Sequence, residues 1–141
     1  MGEGYDLERF VAAQDHRAEY EGALAELRSG HKTGHWMWYV FPQIAGLGRS
    51  PTSVRYAISS LAEARAYLFH AVLGPRLIEC TGIVAGLRGR SAVQIFGGTD
   101  AQKLHSSMTL FLHAKPGEPL FEEVLDRYFG GLTDAGTDER V

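Results

Sequence analysis

The chain has 141 residues, 45% hydrophobic and 22% charged, which is the usage of a folded globular domain and not of a disordered chain. A net charge of -3 at pH 7 supplies no basic face for a duplex, so nucleic acid is excluded as the expected partner. One cysteine, Cys80, excludes an intramolecular disulfide and fits a reducing, cytoplasmic compartment.

The opening residues Met1-Gly2-Glu3-Gly4-Tyr5-Asp6 lack the basic and apolar blocks of a signal peptide. Asp6 stands where a myristoylation motif on Gly2 requires Ser or Thr. Asp6 is well placed to cap a first helix, with Leu7, Phe10, Val11 and Gln14 on one face. A second helix carries Tyr20, Ala23, Leu24 and Leu27, has Arg28 in its last turn and stops at Gly30. The two are expected to pair.

Trp36-Met37-Trp38-Tyr39-Val40-Phe41 is apolar throughout and far too short to span a bilayer, so no membrane partner is expected. Its composition favours a buried strand, a buried helix fits equally well, and Pro42 ends either. Gly46, Gly48, Ser50 and Pro51 form a loop, and a short helix over Ser53 to Ser59 follows. Ser60-Leu61-Ala62-Glu63 matches a capping box and opens a helix with Ala64, Tyr67 and Leu68 on one face. Gly74-Pro75 breaks the chain, and Pro75 suits the first turn of a helix carrying Leu77, Ile78, Val84 and Leu87 and ending near Gly89. Gly82 and Gly86 within it offer close packing against a neighbour.

Ser91 caps a short turn through Phe96. After Gly97-Gly98, Thr99 or Asp100 caps a helix whose apolar stripe is Leu104, Met108, Phe111 and Leu112. Pro116-Gly117 and Pro119 form a loop. A last helix presents Phe121, Val124, Leu125 and Tyr128 and ends at Gly130-Gly131. The reading is all-α: a single multihelical globular domain over residues 1–132, with a frayed polar tail over residues 133–141.

These segments resemble a bacterial family known as domain of unknown function 1810, whose members often carry the label calpastatin. The resemblance rests on Asp6-Leu7-x-Arg9-Phe10-x-x-Ala13-Gln14, His35-Trp36-Met37-Trp38-Tyr39-Val40-Phe41-Pro42-Gln43 and Gly46-Leu47-Gly48. It continues through Tyr56-Ala57-Ile58-x-Ser60-Leu61, Val72-Leu73-Gly74-x-Arg76-Leu77, Ile95-Phe96-Gly97 and Lys103-Leu104-x-Ser106-Ser107-Met108-Thr109-Leu110-Phe111. Val124-Leu125-Asp126-x-Tyr128-Phe129 closes the series. The resemblance implies a multihelical fold with buried central helices, which turns the aromatic segment toward helix. It implies no activity. Calpastatins are disordered inhibitors, and this composition is that of a folded domain. Gly34 and Ala71 depart from the pattern, which expects Ser before His35 and Pro after His70.

Two constellations can carry chemistry. Gly97-Gly98-Thr99-Asp100-x-x-Lys103, with Ser106 and Ser107 behind it, is a glycine-rich turn feeding a helix N-terminus. Free backbone N–H groups there can hold an anion, and Lys103 adds charge on the face it shares with Ser107. It is not a Walker motif, and the charge of Asp100 opposes a phosphate. An ordinary capped helix with a solvated lysine explains the same residues. The second constellation is His35, Trp36, Trp38 and Gln43, where aromatic faces and a few polar groups suit a planar ligand. A core element explains it as well.

His31 and His35 lie four apart, but Gly30, Thr33 and Gly34 work against a regular helix there, and no zinc spacing occurs elsewhere. No metal site and no cofactor are expected. Cys80 reads as a core thiol. The expected ligand is a phosphate-bearing small molecule, nucleotide- or ADP-ribose-like, on Trp36, Trp38, Gln43, Gly97, Gly98, Lys103, Ser106 and Ser107. His35 and Asp100 are the acid-base candidates. A partial likeness to a helical family proposed to process ADP-ribose derivatives, limited to Phe96-Gly97-Gly98 after a long helix, points the same way. The alternative is a protein-protein interaction module without catalytic activity, which requires the aromatic segment to be exposed.

Overall fold

The computed structural model describes residues 4–141. Met1 to Glu3, and with them the reading of Gly2, lie outside the described residues. Helices build the fold, as expected. Among the described residues there is no strand, only an isolated parallel bridge between Ile44 and Ile58.

α1 (Glu8–Asp15) buries Phe10 and Gln14, and α2 (Glu19–Ser29) buries Tyr20, Ala23, Leu24 and Leu27. The two pack together as expected. Gly30, left-handed at φ 74°, ends α2. Asp6 does not cap α1. The N-cap is Leu7, with no side-chain bond, and Asp6 offers its carbonyl to the Arg9 guanidinium instead. Between the helices a 3-10 turn, His16–Ala18, places Arg17 and Ala18 in the left-handed region at φ 50° and 57°.

The aromatic segment is helical, but only for one turn, α3 (Met37–Val40). Pro42 stops it. Trp36, Met37, Val40 and Phe41 are buried, while Trp38 and Tyr39 are half-buried. At its entry no hydroxyl is available from Gly34. Glu26 of α2 takes over: its Oε1 accepts the N–H groups of Thr33 at 2.8 Å, Gly34 at 2.9 Å and Trp36 Nε1 at 2.9 Å. Burial raises the Glu26 carboxyl, but these donors outweigh it and hold the group below the usual carboxylate range.

α4 (Pro51–Arg55) starts earlier than the expected Ser53, because Ser50 caps it and Pro51 fills its first position. α5 (Leu61–Phe69) is capped by Ser60 as expected, yet the box is half-made. Glu63 turns instead to Ser59, accepting its N–H and its hydroxyl at 2.7 Å each, and pairs with Arg9 at 3.1 Å. α6 (Leu73–Gly86) already includes Gly74-Pro75, so the break lies at residues 70–72. His70 Nδ1 caps it by accepting the N–H groups of Val72 and Leu73. Gly86 faces open space and Gly82 meets only Leu120 at 3.9 Å, so this glycine pair does not serve close packing.

α7 (Ala92–Phe96) opens on a complete Ser91–Gln94 capping box. α8 (Gly98–Ala114) is the centre of the fold, packed against α5, α7 and α9 (Pro119–Phe129). Its N-cap is Gly97, not Thr99 or Asp100, which moves Lys103 into the second turn. Phe111 of α8 lies between Tyr67 of α5 and Phe121 of α9, with ring centroids 5.5 and 5.9 Å away.

The segment from Thr133 does not fray. It forms α10 (Ala135–Asp138), capped by Asp134 and docked on α8, with Thr137 fully buried. Among the described residues no single helix is long and apolar enough to cross a membrane.

Candidate functional site

A cleft runs between the loop after α3, α4, the first half of α8 and α10. It has two compartments that share Gln43, Gly48 and Ser53. The first, about 250 Å³, is walled by Trp38, Ile44, Val54, Tyr56 and Ala57. The second, about 430 Å³, is lined by Thr99, Gln102, Lys103, Ser106 and Asp134, with Leu47 and Gly136 at its edge.

The loop is held in place by the Ile44–Ile58 bridge, in which Ile58 N–H donates to Gln43 O and Ala45 N–H donates to Ile58 O, both at 2.8 Å. On α8, Gln102 and Lys103 each neighbour Ser106, at i, i+4 and i, i+3, which brings the three to the cleft. The ammonium of Lys103 sits over the Trp38 ring, 5.1 Å from its centroid, so the two walls meet in a cation–π contact. Arg140, beyond α10, donates to Gly136 O at 2.7 Å and reaches Gly46 O at 3.5 Å, joining the two rims.

The structure thus brings together Trp38, Gln43, Lys103 and Ser106. Gln43 makes no side-chain hydrogen bond among the described residues, so its amide is free to serve both compartments. Ser106 Oγ contacts Gln102 O and Asp134 Oδ2, each at 3.1 Å. Ser107 is fully buried, and its hydroxyl has no partner among the described residues; the same is true of the buried Trp38 Nε1. A buried donor left unpaired costs about 1–3 kcal/mol, and both such groups flank Lys103, one in its helix and one in the ring beneath it.

The other expected residues stand elsewhere. Trp36 is a core side chain, 1% exposed, with its N–H given to Glu26. Gly97 and Gly98 are exposed and do not line the cleft. His35 is exposed, lies outside the cleft and has no side-chain hydrogen bond among the described residues. Asp100 is held by Lys32 at 2.6 Å, a lysine whose side chain is 4% exposed, and lies 3.4 Å from Lys103. Its carboxylate pairs with two ammonium groups and does not line the cleft. Burial pushes the Cys80 thiol up to about 12, which leaves it without nucleophilic character. Among the described residues no three His, Cys, Asp or Glu side chains are grouped to hold a metal.

Asp134, Gln102 and Ser53 escaped the sequence reading. Asp134 is the hub of the second compartment. Its Oδ1 accepts Gln102 Nε2 at 3.0 Å, its Oδ2 accepts Ser106 Oγ and both donors of Thr137, and its own N–H donates to Thr109 Oγ1 at 2.9 Å. A signal was present: Asp134 stands three residues before Thr137, as an N-cap stands before N3. Burial raises the Asp134 carboxyl, but the bonds from Thr137, Gln102 and Ser106 outweigh it and lower the group below its ordinary 3.8. A depressed carboxyl stabilises the fold above the unfolded value and loses that contribution as pH falls through the folded one. The melting temperature is therefore expected to drop as pH falls below about 3.8, and Asp134→Asn to flatten that drop. An acid limb unchanged in the variant contradicts this.

The chain belongs to the family described as Protein of unknown function (DUF1810), whose model matches residues 4–141. It is similar to a solved protein, the conserved hypothetical protein Rv1873 from Mycobacterium tuberculosis, whose crystal structure was determined at 1.38 Å. The two share 54% identity over 96% of this chain and 95% of the other, with a TM-score of 0.93. Among curated proteins, none matches the chain.

Proposed function

We propose that the cleft binds a small nucleotide-like ligand of the ADP-ribose kind, in a cytoplasmic setting. One observation carries this reading: the Lys103 ammonium lies over the Trp38 ring, which makes an aromatic wall and a cation neighbours in a single concave site. Ligand sites commonly pair an apolar, aromatic lining with a few convergent polar groups, and the compartments together have that character. Trp38 and Tyr56 offer aromatic surface to a base, and Lys103 offers its charge to a phosphate. Gln43 supplies an unengaged amide between them. A lone, buried Cys80 is consistent with a reducing compartment, where nucleotides abound. The proposal is of binding, because His35 and Asp100 do not line the cleft.

The interaction-module alternative required an exposed aromatic segment. Burial of Trp36, Met37, Val40 and Phe41 takes away most of that surface, and Trp38 is turned into the cleft wall.

The test is a thermal-shift screen with ADP-ribose, AMP, NAD and ribose 5-phosphate. A ligand at about 100 times its dissociation constant stabilises the fold by about 2.7 kcal/mol. Lys103→Ala is expected to weaken the responding ligand by about tenfold or more, the scale of one charge-assisted hydrogen bond. Unchanged affinity in that variant, or no response to any compound, removes the reading.

A further inference from the structure

We propose that the cleft selects a ribonucleoside unit lying across both compartments, with its base against Trp38 and Tyr56 and its ribose diol on Asp134. This rests on the binding reading above and deepens it.

The two compartments differ in chemistry in the way a nucleoside does. The first is apolar and aromatic, with Ile44 and Val54 beside the rings, and suits a planar heterocycle. The second gathers the hydroxyls of Thr99 and Ser106, the Gln102 amide and a carboxylate, and suits a polyol. They join at Gln43 and Ser53, where a glycosidic bond would pass. The Gln43 amide carries both a donor and an acceptor without an internal partner, which matches the mixed edge of a base. Ser53 Oγ accepts the Ser50 hydroxyl at 2.9 Å, which leaves its own proton free to donate.

Asp134 is built to receive a hydroxyl. Its Oδ2 is saturated by three donors, whereas Oδ1 accepts only Gln102 among the described residues, so this carboxylate of the cleft lining keeps capacity for a further donor. A carboxylate accepts and cannot donate, so it rewards a diol and repels a phosphate. Charge points the same way. The second compartment holds one cation, Lys103, and one anion, Asp134, and Lys103 is shared with Asp100. A free phosphate in this compartment meets the Asp134 carboxylate beside Lys103. A sugar meets hydroxyl, amide and carboxylate groups there, with the phosphate of a nucleotide placed toward Lys103.

The experiment is calorimetric titration of the full chain with AMP, UMP, their 2′-deoxy counterparts and inorganic phosphate. The ribonucleotides are expected to bind about tenfold or more tighter than the deoxy forms, the scale of one hydrogen bond to a charged group, and inorganic phosphate not to bind. Equal affinity for ribo and deoxy forms overturns the ribose reading and leaves the nucleotide-like cleft standing. Absence of binding by every nucleotide overturns both. Tight binding of inorganic phosphate overturns the placement of the sugar. Asp134→Asn is expected to bring the ribo-to-deoxy ratio close to one. A merely loosened α10 would instead weaken both sugars in parallel and keep the ratio, and that result overturns the role of Asp134. The comparison of ligands on the unaltered chain decides the question even where that variant folds poorly.

Discussion

Arg9→Ala is expected to destabilise the protein by about 3–5 kcal/mol, the loss seen when one partner of a buried ion pair is removed. The Arg9 and Glu63 side chains are 14% and 3% exposed, and their charges meet at 3.1 Å. Without Arg9, the Glu63 carboxylate keeps only the N–H and hydroxyl of Ser59 and stays buried with an unbalanced charge. The loss extends to the backbone. Arg9 also donates to the carbonyls of Arg55 and Ala57, at 2.8 Å each, and to that of Asp6. The carbonyls of Arg55 and Ala57 lie just ahead of Ile58 in the bridge, so the guanidinium ties α1 to the first compartment. A lysine cannot replace this fork, because a point charge does not reach several acceptors in a plane. Arg9→Lys is therefore expected to recover little. Urea unfolding followed by circular dichroism checks both, and a loss below about 1 kcal/mol, the scale of an exposed pair, contradicts the argument.

Gly74→Ala is expected to destabilise the fold by about 3 kcal/mol, the upper part of the range for overpacking a close contact. Helix propensity alone predicts the opposite, a gain of about 1 kcal/mol, since Gly74 lies inside α6. Geometry decides between them. A Cβ at this position would drive into the backbone carbonyl of Leu68 at the end of α5, and backbone cannot swing aside as a side-chain tip can. The joint between α5 and α6, bent by 92°, depends on that approach. A drop of roughly 10 °C in melting temperature is expected for a chain of this length. A rise would show that the joint relaxes and that propensity wins.

Much of the fold was legible because several helices carry one clear apolar face. The buried residues of α2 and α9 fall at the positions that periodicity marks, as do Leu104, Met108 and Phe111 of α8, where Leu110 is buried unmarked and Leu112 is only half-buried. The Ser91 cap was legible because the N–H it accepts is local; its completion into a box by Gln94 was not read. Local rules failed where distant groups decide. Asp6 lost the cap of α1 while its carbonyl went to Arg9, and Glu63 left the Ser60 box for Ser59 and Arg9. The last segment looked like a polar tail, yet its order comes from Asp134 meeting Ser106, 28 positions away.

The candidate site followed the same division. Trp38, Gln43, Lys103 and Ser106 were recognisable as residue types in two separate stretches. Nothing in either stretch says that they converge. Nor can one turn of helix show which indole faces inward, and only the Glu26 acceptor settles that Trp36 belongs to the core. Ser53 and Asp134 lie at helices of only five and four residues, too short to show which side chains turn toward α8.

The rim contact between Arg140 and Gly46 spans 94 positions of the chain. Pairs such as α1 with α2 and α5 with α6 close over short loops and lose little chain entropy in meeting. The cleft closes over one of the longest loops the molecule contains, and contacts of that kind form late. Contact order therefore gives an expected sequence in refolding: helical signal returns first, and the second compartment closes only once residues 134–140 have met α8 and the loop at Gly46.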